Sequence, residues 1–241
     1  FLLFILFCCN SIYSKYIFPE NYTKIHHTHV IFQWDQFPNA DSYQLQIFDS
    51  GRNLISILDT LISTNYYYDK TNLNWSKKYE WRVRSIQSDI FQDWSNNWQF
   101  EIGPQKFADI EIIQTSNFDL IQDGYFIAGF SNWTGGASQF NGSCVIDNFG
   151  NEIWNDGDLN VMLNHINAYG EMFGGQDVDW AYTSGIEFDM YENVLWREPN
   201  DVSFDQHELQ QLPNGNYMGF VHEFKDGPIP LGNWTNQFQS I

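Results

Sequence analysis

Residues 28–103 are cut into short segments of strand length, each closed by residues that turn a chain, and this grammar reads as all-β. The segments are HVIFQW (His29 to Trp34), SYQLQIFD (Ser42 to Asp49), LISILDT (Leu54 to Thr60), TNYYYD (Thr64 to Asp69), YEWRVRSI (Tyr79 to Ile86) and NWQFEI (Asn97 to Ile102). In several, apolar residues alternate at period two, as with Tyr79, Trp81, Val83 and Ser85 against Glu80, Arg82 and Arg84. FPNADS, DSGRN and NLNWSKK supply the loops, through the backbone limits of Pro and Gly and through Asn and Asp side chains that bond their own backbone. Roughly seven such strands close most naturally as a two-sheet sandwich.

This stretch resembles a fibronectin type III domain. The resemblance is carried by Trp34 in FQWDQFPNADSYQLQI, by Tyr43 after it, by YEWRVRSI, and by the DWSNNWQFEI ending. It implies a spacer or binding module spanning residues 28–103, with no chemistry attached.

Composition narrows the function. With 18% aromatic and only 17% charged residues, the chain has ample apolar surface for a core, which excludes disorder. The 30 acidic residues against 11 basic ones give a net charge of -19. Such a field repels polyphosphates, so nucleic acid is excluded as a partner, and an anionic substrate requires a local cationic pocket.

Phe1 to Cys9 is an apolar run followed by small and polar residues, too short to span a bilayer. It fits the core of a secretory signal over residues 1–14, with Ser11 or Ser14 before the cleavage point. No Met and no basic segment precede it, so the chain is expected to begin inside a coding sequence. A buried N-terminal strand is the competing reading. Export leaves Cys144 alone in the mature chain, a small hydrophobe in the apolar run CVI, and stability then rests on the core. The expected location is periplasmic or extracellular.

After a linker from Gly103 to Gln122 the grammar changes. VIDNFGNEIW (Val145 to Trp154) returns as EFDMYENVLW (Glu187 to Trp196), placing Asp147 on Asp189 and Trp154 on Trp196, both 42 positions apart. A period of about 40 to 45 residues with a strand–turn–strand core is the signature of a β-propeller. Asp with Gly or Asn makes the tight turn, and the Trp that follows packs between blades. GYFIAGF (Gly124 to Phe130), INAYGEMFGG (Ile166 to Gly175) and GNYMGFVHEF (Gly215 to Phe224) read as the corresponding strand of three blades. Phe118 to Ile241 holds 124 residues, just under three such repeats. A closed propeller needs at least about four blades, so the propeller over residues 118–241 is expected to be truncated.

The densest stretch for chemistry runs from Asn200 to Phe224 and holds His207 and His222 on either side of an LPNGN turn. A hairpin would bring the two histidines to one end, where such a pair can bind a metal, serve as base and acid, or cap the sheet with hydrogen bonds. FDQHELQQLPNGNYM is similar to the motif of bacterial arylsulfate sulfotransferases, in which a histidine precedes LPNGN and a strand. GGQDVDWAYTSGIEFDMYENVLWRE also looks like that family's blades. The resemblance covers residues 118–241 and implies a six-bladed propeller behind an N-terminal β-domain. It implies nucleotide-independent transfer of a sulfuryl group from a phenol sulfate donor to a phenol acceptor through a sulfohistidine; no cofactor is expected, no metal ligands are assigned, and whether a metal is bound is not legible in the sequence. His207 matches the family's substrate-pocket histidine. The accepting histidine and the sulfate-gripping arginine of the family have no counterpart here and are expected beyond Ile241.

These residue types suit that chemistry. Neutral imidazole is both a nucleophile and an acceptor for a phenol proton, and a nearby cation stabilises a departing phenolate. Arg197, directly after Trp196, is the local candidate for an anion contact, against a solvated pairing with Glu198. His165 either faces the axis or is structural; His26, His27 and His29 form a polar segment or a metal site. Asp156 and Asp158 in NDGDLN lack the further carboxylates of an EF-hand loop. Asn132 and Asn233 open Asn-x-Thr triplets that matter in a eukaryotic secretory host. The alternative from another class is a secreted, non-enzymatic propeller that binds a ligand or protein. Oligomeric state is not legible in the sequence.

Overall fold

The computed structural model describes residues 17–69, 72–108, 124–134, 137–179, 182–199 and 209–220. The described chain is all-β, with no helix long and apolar enough to cross a membrane. It divides into two compact units, residues 1–128 with 144–158, and residues 129–143 with 159–241.

The first unit is built on β1 (Thr23–Ile25), β2 (Val30–Gln33), β3 (Ser42–Asp49), β4 (Leu54–Leu61), β5 (Asn65–Tyr68), β6 (Lys77–Gln87), β7 (Ile90–Phe91) and β8 (Trp98–Ile102). The larger sheet runs β1-β8-β6-β3-β4 with β7 also on β6, and β2 pairs with β5 as a second, two-stranded sheet. This is the fibronectin type III-like sandwich topology. Its core joins the two sheets: Phe32 on β2 meets Tyr68, Trp81 and Phe100 edge-on at 6.3, 5.3 and 5.9 Å. Val30, Leu45, Ile47, Val83 and Ile102 complete it with no exposed surface. The alternation in YEWRVRSI is realised in part: Tyr79, Trp81, Val83 and Ser85 are buried and Arg82 and Arg84 half-buried, but Glu80 is buried too, its carboxylate accepting from the Asn97 and Gln99 amides. Trp34 is buried edge-on against Tyr43, with centroids 5.5 Å apart. The Tyr79 hydroxyl accepts the Asn74 backbone N–H at 2.6 Å, the corner tie by which such sandwiches fix the loop entering their long strand. Two strands lie outside the expected set: β7 pairs with β6 through Ile86–Phe91 and Gln87–Ile90, and β1, which precedes residue 28, pairs in parallel with β8 through Thr23–Phe100 and Ile25–Ile102.

The rest of the described chain consists of β9 (Tyr125–Thr134), β10 (Ala137–Asp147), β11 (Glu152–Asn155), β12 (Val161–Ile166), β13 (Met172–Asp179), β14 (Tyr182–Phe188), β15 (Val194–Arg197), β16 (Gln210–Gln211) and β17 (Tyr217–Met218). In the second unit β12 to β15 form a four-stranded antiparallel meander in sequence order, with β16 and β17 as a separate hairpin. The unit division cuts through β9 and β10.

The internal repeat appears as one hairpin built twice. Val145 pairs with Trp154 and Ile146 with Glu152, with a register shift between them; 42 residues later Glu187 pairs with Trp196 and Phe188 with Val194, with the same shift. In the first turn the Asp147 carboxylate accepts the N–H groups of Phe149 and Asn151 and the Asn151 side-chain amide, and Asp189 does the same for Tyr191 and Asn193. Backbone bonds close both, with Gly150 N–H on Asp147 O and Glu192 N–H on Asp189 O. The geometry is a type I turn followed by one left-handed residue, φ 89° at Gly150 and 65° at Glu192. Asp49–Asn53 and Asn167–Glu171 make the same closure. The Ile166–Gly175 segment, expected as one strand, is therefore split: Asn167–Gly170 turns the chain and β13 begins at Met172.

Candidate functional site

His207 and His222 lie outside the described residues. The LPNGN turn between them is described and is a hairpin: Leu212 N–H donates to Asn216 O at 2.7 Å and Gly215 N–H to Leu212 O at 2.8 Å, joining β16 to β17. The hairpin is fastened within its own unit by Tyr217. Its ring stacks on Trp196 of β15, centroids 3.8 Å apart and 10° from parallel, and its hydroxyl donates to the buried Glu187 carboxylate of β14. Gln211 Nε2 donates to the same hydroxyl at 3.2 Å. Burial and the Glu187 hydrogen bond push the Tyr217 phenol up to about 12, so it stays protonated and remains a donor at neutral pH.

Arg197 is exposed on β15, opposite Ile186. The neighbouring Glu198 is buried and its Oε2 accepts the Gly185 N–H at 2.7 Å. Leu209 leans on the same glycine; a Cβ there would stand 3.0 Å from Leu209 Cδ2 and 3.4 Å from Glu198 Oε2. His165 is exposed and lies against the Phe173 ring at 5.7 Å.

A second polar concentration lies wholly within the first unit. His26–Thr28 pairs with β11: Asn155 N–H donates to His26 O and Thr28 N–H to Ile153 O, both at 2.9 Å. Around this ladder the buried Glu152 carboxylate accepts the N–H of Lys106 at 3.1 Å, the N–H of Phe107 at 2.8 Å and the Asn155 amide at 2.6 Å. Lys106 Nζ sits 2.6 Å from the fully buried Asp156 carboxylate and 2.8 Å from Gly157 O. The NDGDLN loop thus gives Asp156 to a lysine instead of presenting it to a cation. Cys144 is buried beside this network; burial first, then Glu152 and Asp156, push its thiol up to about 12, which keeps it from acting as a thiolate.

His27 is also buried, its ring stacked 6.4 Å from Phe18. Burial, reinforced by His26 and His29, lowers its pKa to about 4. His29 lines a cleft of roughly 390 Å³ with Trp75, Gln105 and Asn151, and its Nδ1 is 3.2 Å from the Tyr67 hydroxyl. Burial lowers its pKa while Asp69 and Asp147 oppose the shift. The histidine segment is therefore not one polar surface patch: two imidazoles are buried and one borders a cleft. Among the described residues no three His, Cys, Asp or Glu side chains stand close enough together to hold a metal ion.

Sequence reasoning passed over Glu152, Glu187 and Tyr217. A signal existed for the two glutamates, because aligning the repeat sets charged Glu152 against Val194 and charged Glu187 against Val145. Tyr217 is an ordinary strand residue until the hairpin folds back onto β14 and β15.

No family model matches the chain. No curated protein matches it. Among solved structures the chain is similar to an Fn3-like protein from Clostridium thermocellum, at 19% identity over 34% of this chain and 86% of that one, with a TM-score of 0.28.

Proposed function

We propose that the chain belongs to an exported arylsulfate sulfotransferase that moves a sulfuryl group from a phenol sulfate ester to a phenol, without nucleotide, through a sulfohistidine. The observation that carries the reading is the LPNGN hairpin. It follows a four-stranded antiparallel meander and is anchored to it by Tyr217 on Trp196 and Glu187. This is where the sequence motif couples a histidine to a rigid turn.

In the reaction an imidazole nitrogen bonds to the ester sulfur as the S–O bond to the phenolate breaks. An incoming phenol then gives up its proton and takes the sulfuryl group from that nitrogen. His207 serves as a pocket imidazole that exchanges protons with the phenol oxygens, with His222 and Arg197 as the further local candidates.

The test uses the natural full-length protein with 4-nitrophenyl sulfate and phenol, in the absence of nucleotide. Phenol-dependent nitrophenol release is expected, falling on the order of 100-fold or more in His207→Asn, the usual scale for a general acid–base group. A folded protein that releases no nitrophenol contradicts the enzymatic reading and favours a secreted binding module, whereas an unchanged rate in His207→Asn contradicts the role given to His207.

A further inference from the structure

Five Asn-x-Ser or Asn-x-Thr triplets occur in the chain, opened by Asn21, Asn74, Asn132, Asn141 and Asn233. Such a triplet marks an acceptor for N-linked oligosaccharide when it stands on the surface of an exported chain. The structure separates the ones it describes. In the Asn141 triplet, Ser143 is fully buried, its hydroxyl donating to Val161 O at 2.5 Å and accepting the Leu163 N–H at 2.8 Å. In the Asn74 triplet the acceptor amide is itself engaged, Nδ2 donating to Asn72 O at 3.4 Å.

Asn21 differs from both. It is exposed in the turn that leads into β1, and Tyr22 beside it is 77% exposed. Strand β8 holds the turn twice: Asn21 Oδ1 accepts the Gln99 N–H at 2.9 Å, and Tyr22 N–H donates to Gln99 O at 2.6 Å. The amide oxygen is thus occupied, and the amide nitrogen, without a partner among the described residues, is the atom left for substitution.

Position adds a purpose. Among the described residues β1 is the three-residue edge of the larger sheet, and an open edge is a template for pairing with another chain. The opposite edge, β4, is already blunted by two register shifts in its pairing with β3, at Leu58–Leu61 and at Leu54–Ser56. No such irregularity interrupts β1 against β8.

We propose that Asn21 is an acceptor of N-linked oligosaccharide, and that the sugar shields the β1 edge from pairing with a second copy of the chain. The proposal rests on the export reading. In the transfer, Asn21 Nδ2 attacks the anomeric carbon of an oligosaccharide carried on a lipid pyrophosphate. The C–N bond forms, the C–O bond to pyrophosphate breaks, the lipid pyrophosphate leaves, and one amide proton passes to a base of the host transferase.

The test secretes the full chain from a eukaryotic host behind the host's own leader, so that export is supplied and only the site is in question. Peptide masses are compared before and after peptide N-glycosidase treatment. The Asn21 peptide is expected to carry a hexose and N-acetylhexosamine mass that the enzyme removes. Thr23→Ser retains it, while Thr23→Ala, which leaves the Asn21–Gln99 hydrogen bond intact, and Asn21→Gln each abolish it. In sedimentation the two unglycosylated variants are expected to show a several-fold larger oligomeric fraction than the glycosylated chain. An unmodified Asn21 in the secreted protein overturns the site, whether or not another triplet is occupied. Equal self-association of the glycosylated chain and Thr23→Ala overturns the shielding.

Discussion

At the scale of single residues, one hydrogen-bonded unit recurs: an Asp or Asn side chain that accepts the N–H groups two and four residues ahead, with the third residue ahead in or near the left-handed region. Only a Gly takes that conformation without steric cost. Gly150→Ala is therefore expected to lower stability by about 1 kcal/mol, whereas Glu192→Gly, at the matching position of the repeat, is expected to be neutral or stabilising by up to about 1 kcal/mol. Urea midpoints of the two variants check the sign. The buried imidazole of His27 sets a second expectation. Its folded pKa, about 4, lies below the unfolded value of 6.5, so the unfolded chain binds the proton more readily. Stability is fully present above pH 6.5 and declines as pH falls toward 4, by about 3 kcal/mol at the end of that window. Thermal midpoints measured between pH 7 and 5 are expected to fall less steeply in His27→Leu than in the parent chain; parallel slopes would show that this imidazole is not the group responsible.

At the scale of elements, β11 is stitched to the chain around Pro104–Phe107 by side chains instead of by a continuous sheet. Glu152 accepts from Lys106, Phe107 and Asn155, and Lys106 in turn neutralises Asp156. Glu152→Gln keeps the shape but turns an amide donor toward N–H donors, so a loss of about 1 to 3 kcal/mol is expected. Lys106→Met strands a buried carboxylate and is expected to cost about 3 kcal/mol, measured by urea unfolding; a double change with Asp156→Asn should recover part of it. The strands were largely legible in the sequence wherever one face is buried, because alternation records that burial: Ser42–Asp49 has the same bounds in both readings, and Trp81 and Val83 face inward as their spacing requires. β1 was not legible, since three residues paired in parallel with a strand some 75 positions away leave no local pattern. The turn at Asn167 was missed for a related reason. NAYGE lacks the Asp of its three counterparts, and its identity emerges only from the bonds that Asn167 makes.

At the scale of the whole molecule, the acidic field and the site chemistry meet. A charge of -19 disfavours any anionic ester in solution, so productive binding requires cationic groups around the sulfuryl oxygens. Arg197 is exposed on β15. The site was less legible than the fold because its candidates were read from a motif, while the geometry that is described concerns the hairpin between them. Tyr217, Trp196 and Glu187 show how that hairpin is held, and a catalytic role for His207 is a statement about chemistry that kinetics must decide. The most direct test of the sulfohistidine is the initial-rate pattern of the natural protein with 4-nitrophenyl sulfate and phenol varied together. A covalent intermediate predicts parallel double-reciprocal lines and a burst of nitrophenol equal to the enzyme present when phenol is withheld; intersecting lines without a burst, from a folded and active protein, would contradict it.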